Sequence, residues 1–201
     1  MELQCCLQCA EGSNNGFNLE VFYWLGTLLL GFGGYFIAYK QFKMSLNSSK
    51  EEREINSLSK KLNEFYGPFY QLRKKSFTLY KEFRKKFETE DPNFSTLKYL
   101  LSGKRFSGND EVLLNEIILI GEECEDFIHK NAGLIDHNEI RNNLLPKLTT
   151  HYRLIKLAKD GMLKGDLDTI GRYTFPKEID SELENRINEI KARLNELNKK
   201  I

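Results

Sequence analysis

The chain has 201 residues and an almost balanced charge, with 30 Lys and Arg side chains against 29 Asp and Glu. A net charge of +1 lacks the basic footprint on which nucleic-acid affinity depends, so a nucleic-acid partner is not expected. Residues 40–201 are enough for one ordinary domain with its own core.

The first recognisable element is a block without a single charge, Val21 to Tyr39, which is followed by Lys40 and Lys43. As a helix it would extend about 28 Å, close to the ~30 Å hydrocarbon core of a bilayer. The block lacks the basic start and the small-residue cleavage site of a signal peptide. A buried helix that is apolar on every face is unusual in so small a soluble domain. The pattern predicts an external tail (1–18), a single transmembrane helix (19–40) and a cytosolic domain (41–201).

The distribution of basic residues predicts the orientation of this helix. Residues 1–39 contain no Lys or Arg, and all 30 basic residues follow. Because positive charge near a span favours the cytoplasmic side, we expect the N-terminus outside and the C-terminal domain in the cytoplasm. The expected location is the inner (cell) membrane of a bacterium, with membrane lipid as the first partner.

Small residues recur within the charge-free block at steps of four, three and four, at Thr27, Gly31, Gly34 and Ala38. They lie on one helix face, and small side chains allow two membrane helices to approach closely. This spacing predicts a homo-oligomer that associates through the span. The alternative is ordinary glycine enrichment, which membrane helices show in general.

The predicted external tail carries three cysteines, Cys5, Cys6 and Cys9. Thiols outside the cytoplasm tend to oxidise, and three cannot all pair with one another, so one would be left for an intermolecular disulfide. A structural zinc needs four ligands, and no nearby His supplies the fourth. The alternative is an irregular tail whose thiols have no role.

After residue 50, apolar residues recur at helical spacing from Ile55 to Phe83, with Ser76 at the one gap. Gly67-Pro68 should kink or briefly break this helix. Further helices are expected at 95–101, from a cap at Asp110 to Lys130, at 136–159 with a bend at Pro146, and from Pro176 onward. The last helix carries a heptad seam, Leu183 to Ile201, typical of a coiled coil.

These patterns predict an all-α fold, because no segment alternates with period two. We expect an antiparallel bundle of about four helices whose first helix continues from the membrane. The C-terminal seam should pack on the Ile55–Phe83 stripe of the same chain. Packing on another chain's copy is the alternative.

Basic residues gather on the first cytosolic helix and suggest an anion-binding face for a nucleotide, nucleic acid or lipid headgroup. The simpler interpretation, which we favour, is a solvated face offset by neighbouring acids. This predicted basic face comprises Arg73, Lys74, Lys81, Arg84 and Lys85.

An acidic group with a histidine, Glu122, Glu125, Asp126 and His129, has part of the spacing of a metal site in a helical bundle. The other half of such a site is missing, so a solvated face is the favoured interpretation. Neither a phosphate-binding loop nor a nucleophile motif is present. We therefore predict no catalytic residue, cofactor or metal.

Three classes of function fit this sequence. The first is a membrane-anchored interaction module, a scaffold, adaptor or sensor whose bundle binds an unidentified cytosolic protein. The second is an oligomeric membrane effector of the toxin or antiphage type, triggered through its cytosolic domain. The third is an enzyme whose site is assembled in space, for which a pocket of convergent polar groups would be the sign.

Overall fold

The computed structural model describes residues 19–163 and 175–199, with side chains from Tyr23 onward. Throughout these ranges the chain is helical and contains no strand, so the predicted all-α fold is confirmed. The chain divides at Lys50 into two compact units. Cys5, Cys6 and Cys9 lie outside the described residues.

Six α-helices account for most of the described chain. They are α1 (Leu19–Lys61), α2 (Gly67–Glu90), α3 (Thr96–Leu101), α4 (Asn109–Lys130), α5 (Leu145–Lys159) and α6 (Ile179–Asn198). A π-helical turn precedes α2 at Leu62–Tyr66, and another precedes α5 at Ile140–Leu144. A short 3₁₀ turn, Ala132–Leu134, follows α4.

The first unit contains the N-terminal part of α1. Over the described residues, no helix combines the length and the apolar character that a membrane crossing needs. The prediction of a transmembrane helix over 19–40 is therefore not supported. The start of the predicted span, at residues 19–22, lies outside the described side chains.

Both π-helical turns end two residues before a proline, at Pro68 and Pro146. Proline has no N–H, and its ring collides with the preceding turn of a regular α-helix. A wider turn relieves that collision without ending the helix, as the Gly67 N–H shows by donating to the Leu62 carbonyl. The sequence correctly indicated a local disruption at both prolines, and the structure resolves each disruption as a π turn.

The second unit is a helical bundle around α4, which packs against α2 and α5. Helix α3 packs on α5, whereas α6 contacts α2 and both π turns. The centre is aromatic: Phe65, Phe69 and Phe127 stack with ring centroids 5.3 to 6.0 Å apart. The predicted stripe from Ile55 to Phe83 supplies much of this core, as expected from its helical spacing.

The seam of α6 is buried at Leu183, Ile187, Ile190 and Leu197. Because α6 contacts α2 and the two π turns of its own chain, the predicted intrachain packing is confirmed. Near the C-terminal end of α6, Arg193 donates to both carboxylate oxygens of Glu54, at 2.7 and 3.2 Å.

Two predicted helix starts were displaced. Helix α4 begins at Asn109 after Gly108, whose φ of +60° favours glycine, so Asp110 lies in the first turn rather than at the cap. Helix α6 begins at Ile179 rather than at Pro176, because Pro176 belongs to a turn in which its carbonyl accepts from the Ile179 N–H at 3.2 Å.

Candidate functional site

Arg73 was predicted on an exposed basic face, but it is 1% exposed in the core of the bundle. Its guanidinium donates from Nε and Nη2 to the two carboxylate oxygens of Asp180, at 3.1 and 3.3 Å. It also donates to the Tyr152 hydroxyl. The Phe175 ring lies 4.9 Å from the guanidinium carbon. Arg73 thus connects α2 to α5 and α6.

The sequence contains a signal for this placement that the charge pattern concealed. Arg73 follows Phe69 by four residues and precedes Ser76 by three, and both neighbours belong to the apolar stripe. Residues at these spacings share a helix face. Ser76, the polar gap in the stripe, is buried and lies 2.7 Å from the Tyr152 hydroxyl. A polar residue within the apolar stripe, on the same helix face as a basic residue, was therefore the sign of a buried hydrogen-bond network.

Tyr152 reaches this network because its ring lies against Gly121 of α4, which has no side chain. A Cβ at Gly121 would lie 2.5 to 2.9 Å from the Cβ and ring atoms of Tyr152, closer than real contacts allow. Glycine is therefore required at residue 121 for the Tyr152 ring to lie against α4. The ring position in turn places the hydroxyl between Arg73 and Ser76.

The electrostatics of the network stabilise charge at Arg73 and the neutral forms of Tyr152 and Cys124. Burial lowers the pKa of Arg73, but the nearby Tyr152 and Asp180 outweigh it, so the pKa is raised overall. Burial raises the pKa of Tyr152 and raises that of the Cys124 thiol to about 12. A buried, protonated thiol is not a nucleophile. The arrangement acts as a fixed cross-link between helices.

A second cross-link centres on Asp136, in the segment between α4 and α5. Its carboxylate accepts from Lys61 and Tyr66 at 2.8 Å each and from Arg186 at 2.7 Å. Burial opposes the charge, but these three donors lower the pKa of Asp136 to about 2. Burial and the adjacent carboxylate raise the pKa of Tyr66 to about 12. The Asp136 carboxylate thus joins its own segment to the junction of α1 with the first π turn and to α6.

A cleft of about 400 Å³ lies between two parts of the bundle. One side is formed by the first π turn and the start of α2, and the other side by α6. Its lining combines apolar surface, three amide side chains and one charge of each sign. The lining residues are Leu62, Asn63, Gly67, Pro68, Tyr70, Gln71, Glu184, Ile187, Asn188 and Lys191. None of these residues was predicted to bind a ligand, because the residues that meet here are far apart along the chain.

The remaining members of the predicted basic face are distributed along α2. Lys74 lies 4.8 Å from the Tyr70 ring centroid, and Arg84 pairs with Glu88 at 2.9 Å. Lys81 and Lys85 are exposed. Since Arg73 is buried, the face consists of these four residues and not of five.

The acidic group on α4 is not assembled into a ligand cage. Glu122 forms an ion pair with Lys156 of α5, and Glu125 lies 4.0 Å from His129. Asp126 is exposed. Among the residues that the structure describes, no group of three His, Cys, Asp or Glu could hold a metal ion.

The small-residue face on α1 is open. An added Cβ at Gly31 or Gly34 would meet no atom within 4 Å. The Thr27 hydroxyl donates to the Tyr23 and Trp24 carbonyls at 3.1 and 2.9 Å, so its polar group is satisfied within its own helix. Self-association through Thr27, Gly31, Gly34 and Ala38 stays a prediction.

Comparison with protein families, with curated proteins and with solved structures finds no match for this chain.

Proposed function

We propose that this protein is a helical interaction module held at a lipid bilayer by the apolar segment of α1, residues 23–39. The bundle of residues 51–201 is the part that would bind a cytosolic protein. The observation that carries the proposal is the exposure of large apolar side chains along the apolar segment. They are Tyr23, Trp24, Leu25, Leu28, Leu29, Leu30, Phe32, Tyr35, Phe36, Ile37 and Tyr39, and each is more than half exposed.

An exposed apolar surface of this extent marks an interaction site rather than a solvated helix. The exposed residues follow one another around the helix instead of forming one stripe, and lipid can cover every face whereas one protein partner covers a single side. Aromatic residues occur at both ends of the segment, with Trp24 and Tyr23 at one end and Tyr39 at the other, as in helices that contact headgroups.

Paired lysine substitutions test this anchor. In the Leu29→Lys, Phe36→Lys variant, we expect the full chain to lose most of its co-flotation with anionic lipid vesicles. Each lysine deep in the hydrocarbon costs about 3 kcal/mol. The matched control is Phe77→Lys, Leu119→Lys, which replaces the same residue types at exposed positions of the bundle. Equal flotation of the two variants would refute the anchor.

The proposed orientation places the N-terminal tail outside and the bundle in the cytoplasm of a bacterial cell, from the lack of basic residues before Lys40. A membrane-impermeant thiol reagent added to intact cells should label Cys5, Cys6 and Cys9. Protection of these thiols in intact cells, with labelling after lysis, would place the tail inside.

A membrane effector is the second candidate, and the open face at Gly31 and Gly34 favours it. In this alternative, chains would associate through Thr27, Gly31, Gly34 and Ala38 and disturb the bilayer when the bundle is triggered. It differs from the interaction module in one measurable respect. For an effector, the full chain added to vesicles would release a trapped dye, and its overproduction would depolarise cells. An anchored module would leave both membranes intact.

A further inference from the structure

Few large apolar side chains are exposed on the second unit of the chain. Among its described residues they are Phe77 on α2, Val112 and Leu119 on α4, and Met162 after α5, with 49, 59, 56 and 76% of their surface exposed. Single exposed apolar residues are ordinary on a protein surface. Three of these four, however, lie on α2 and α4, which pack on each other, and each of the three has charged residues within one helical turn.

The exposed side of α4 is apolar and acidic. Four exposed residues follow one another at steps of four, three and four, so they share one helix face. This outer row of α4 consists of Val112, Glu116, Leu119 and Glu123. Within the described part of the chain, the ion pairs of α4 involve other acids, so neither carboxylate of the row has a basic partner there.

The exposed side of α2 is basic around one aromatic ring. Its outer row, at steps of three, four and four, consists of Lys74, Phe77, Lys81 and Lys85, all of them exposed. Of the nearby acids, Glu88 pairs with Arg84 at 2.9 Å, and Glu82 lies about 100° around the helix from Lys81. The outer row of α2 therefore presents positive charge on both sides of the Phe77 ring.

The two rows complement each other in length, charge and apolar content. Residues 74–85 and residues 112–123 each cover about 17 Å at the helical rise. The stems of the α2 lysines can lie over the apolar side chains of α4 while their ammonium groups reach the carboxylates. Within one chain the rows do not meet, because α2 and α4 pack through their buried faces. A second copy of the chain supplies the missing counterpart of each row.

We propose that copies of this protein associate through their bundles, with the outer row of α2 in one copy lying on the outer row of α4 in another. The inference goes beyond the proposed function, because it needs neither the α1 anchor nor a cytosolic partner. Opposite charges select this pairing, since α2 on α2 or α4 on α4 would bring like charges together. The contact also removes Phe77, Val112 and Leu119 from water.

Sedimentation of the full chain in detergent measures this association. Every sample carries Gly31→Leu with Gly34→Leu, so that association through the small-residue face of α1 does not contribute. The chain should still self-associate reversibly in this background. The association should weaken as salt is added, because exposed charges at the edges of the contact are screened.

Charge reversal on each row identifies the two surfaces. Lys81→Glu with Lys85→Glu should weaken self-association about tenfold, and Glu116→Lys with Glu123→Lys should do the same, because like charges then face each other. An equimolar mixture of these two variants should associate again, because each variant carries the charge that the other lacks. Recovery on mixing also shows that both variants are folded.

Lys147→Glu with Lys191→Glu is the matched control, because it makes the same change in net charge at exposed lysines of α5 and α6. This control should associate as the unaltered rows do. A chain that stays monomeric in the glycine background, a reversal on one row that has no effect, or a mixture that does not recover would each overturn the proposal. So would loss of binding to anionic vesicles as the sole effect of the α2 reversal, since the basic row would then serve lipid headgroups.

Discussion

Gly121 shows how a single missing Cβ shapes the interior of the bundle. Tyr152 lies directly over this glycine and extends its hydroxyl to Arg73 and Ser76. Alanine is ordinarily about 1 kcal/mol more favourable than glycine inside a helix. Here, however, the new Cβ would press on the base of the Tyr152 ring, which cannot move aside without breaking the contacts of its hydroxyl with Arg73 and Ser76.

We therefore expect Gly121→Ala to destabilise the protein by about 1–3 kcal/mol, the usual cost of overpacking. Thermal and urea unfolding measure the change. Gly133→Ala is the control, because a Cβ there meets no atom within 4 Å. If Gly121→Ala were as stable as the control, the Tyr152 ring could not lie where the structure has it.

Asp136 predicts a pH dependence of stability. Its pKa in the folded protein is about 2, below the ordinary value of 3.8, so its three donors stabilise the fold fully only above pH ~4. That contribution is lost as the pH falls from ~4 to ~2. We expect Asp136→Asn to lower stability at pH 7 and the difference from the unaltered protein to shrink below pH 4.

Unfolding in urea at several pH values measures this difference. Asp126→Asn, at an exposed position of α4, is the control and should show no such convergence. A gap between Asp136→Asn and the unaltered protein that is as large at pH 2.5 as at pH 7 would contradict the assigned ion pairs.

At the scale of helices, hydrophobic periodicity was a better guide to which residues are buried than the distribution of charge. The stripe from Ile55 to Phe83 and the α6 seam were recognised, since a buried face repeats every three to four residues. Arg73 and the cleft were missed, because a basic residue reads as exposed and because residues from separate helices meet only in the folded chain. The helix starts at Asn109 and Ile179 were displaced by local turns that periodicity does not encode.

Removal of α6 tests whether this helix is needed to complete the core of the bundle. Its seam buries Leu183, Ile187 and Ile190 against α2 and the π turns, and Asp180 neutralises the buried Arg73. We expect a fragment of residues 40–175 to be molten or aggregated, by near-ultraviolet circular dichroism and light scattering. A fragment of residues 40–198 should melt cooperatively. A sharp melt of the shorter fragment would show that the seam serves another chain.

The small-residue face of α1 gives a prediction for self-association. Gly31→Leu with Gly34→Leu should separate two helices that meet there and weaken association by about 1 kcal/mol or more. Sedimentation in detergent measures the oligomer, and Gly26→Leu with Gly33→Leu, beside the face, is the control. An oligomer unchanged by the first pair would exclude this face as the interface.

At the scale of the whole molecule, the division at Lys50 separates two kinds of surface. Before it, large apolar side chains are exposed along the apolar segment, whereas the second unit buries a continuous core of its own. The sequence analysis placed a boundary at residue 40, where the charge-free block ends, which is ten residues before this division. The predicted crossing of the membrane is not supported over the described residues, and anchoring is the proposal that the exposed side chains favour.

The most direct test of the central claim compares the full chain with a fragment of residues 51–201 in one flotation experiment. If the apolar segment is the anchor and the bundle an independent unit, the full chain floats with lipid vesicles. The fragment then stays at the bottom of the gradient and melts cooperatively. Flotation of the fragment, or sedimentation of the full chain away from the vesicles, would contradict the account.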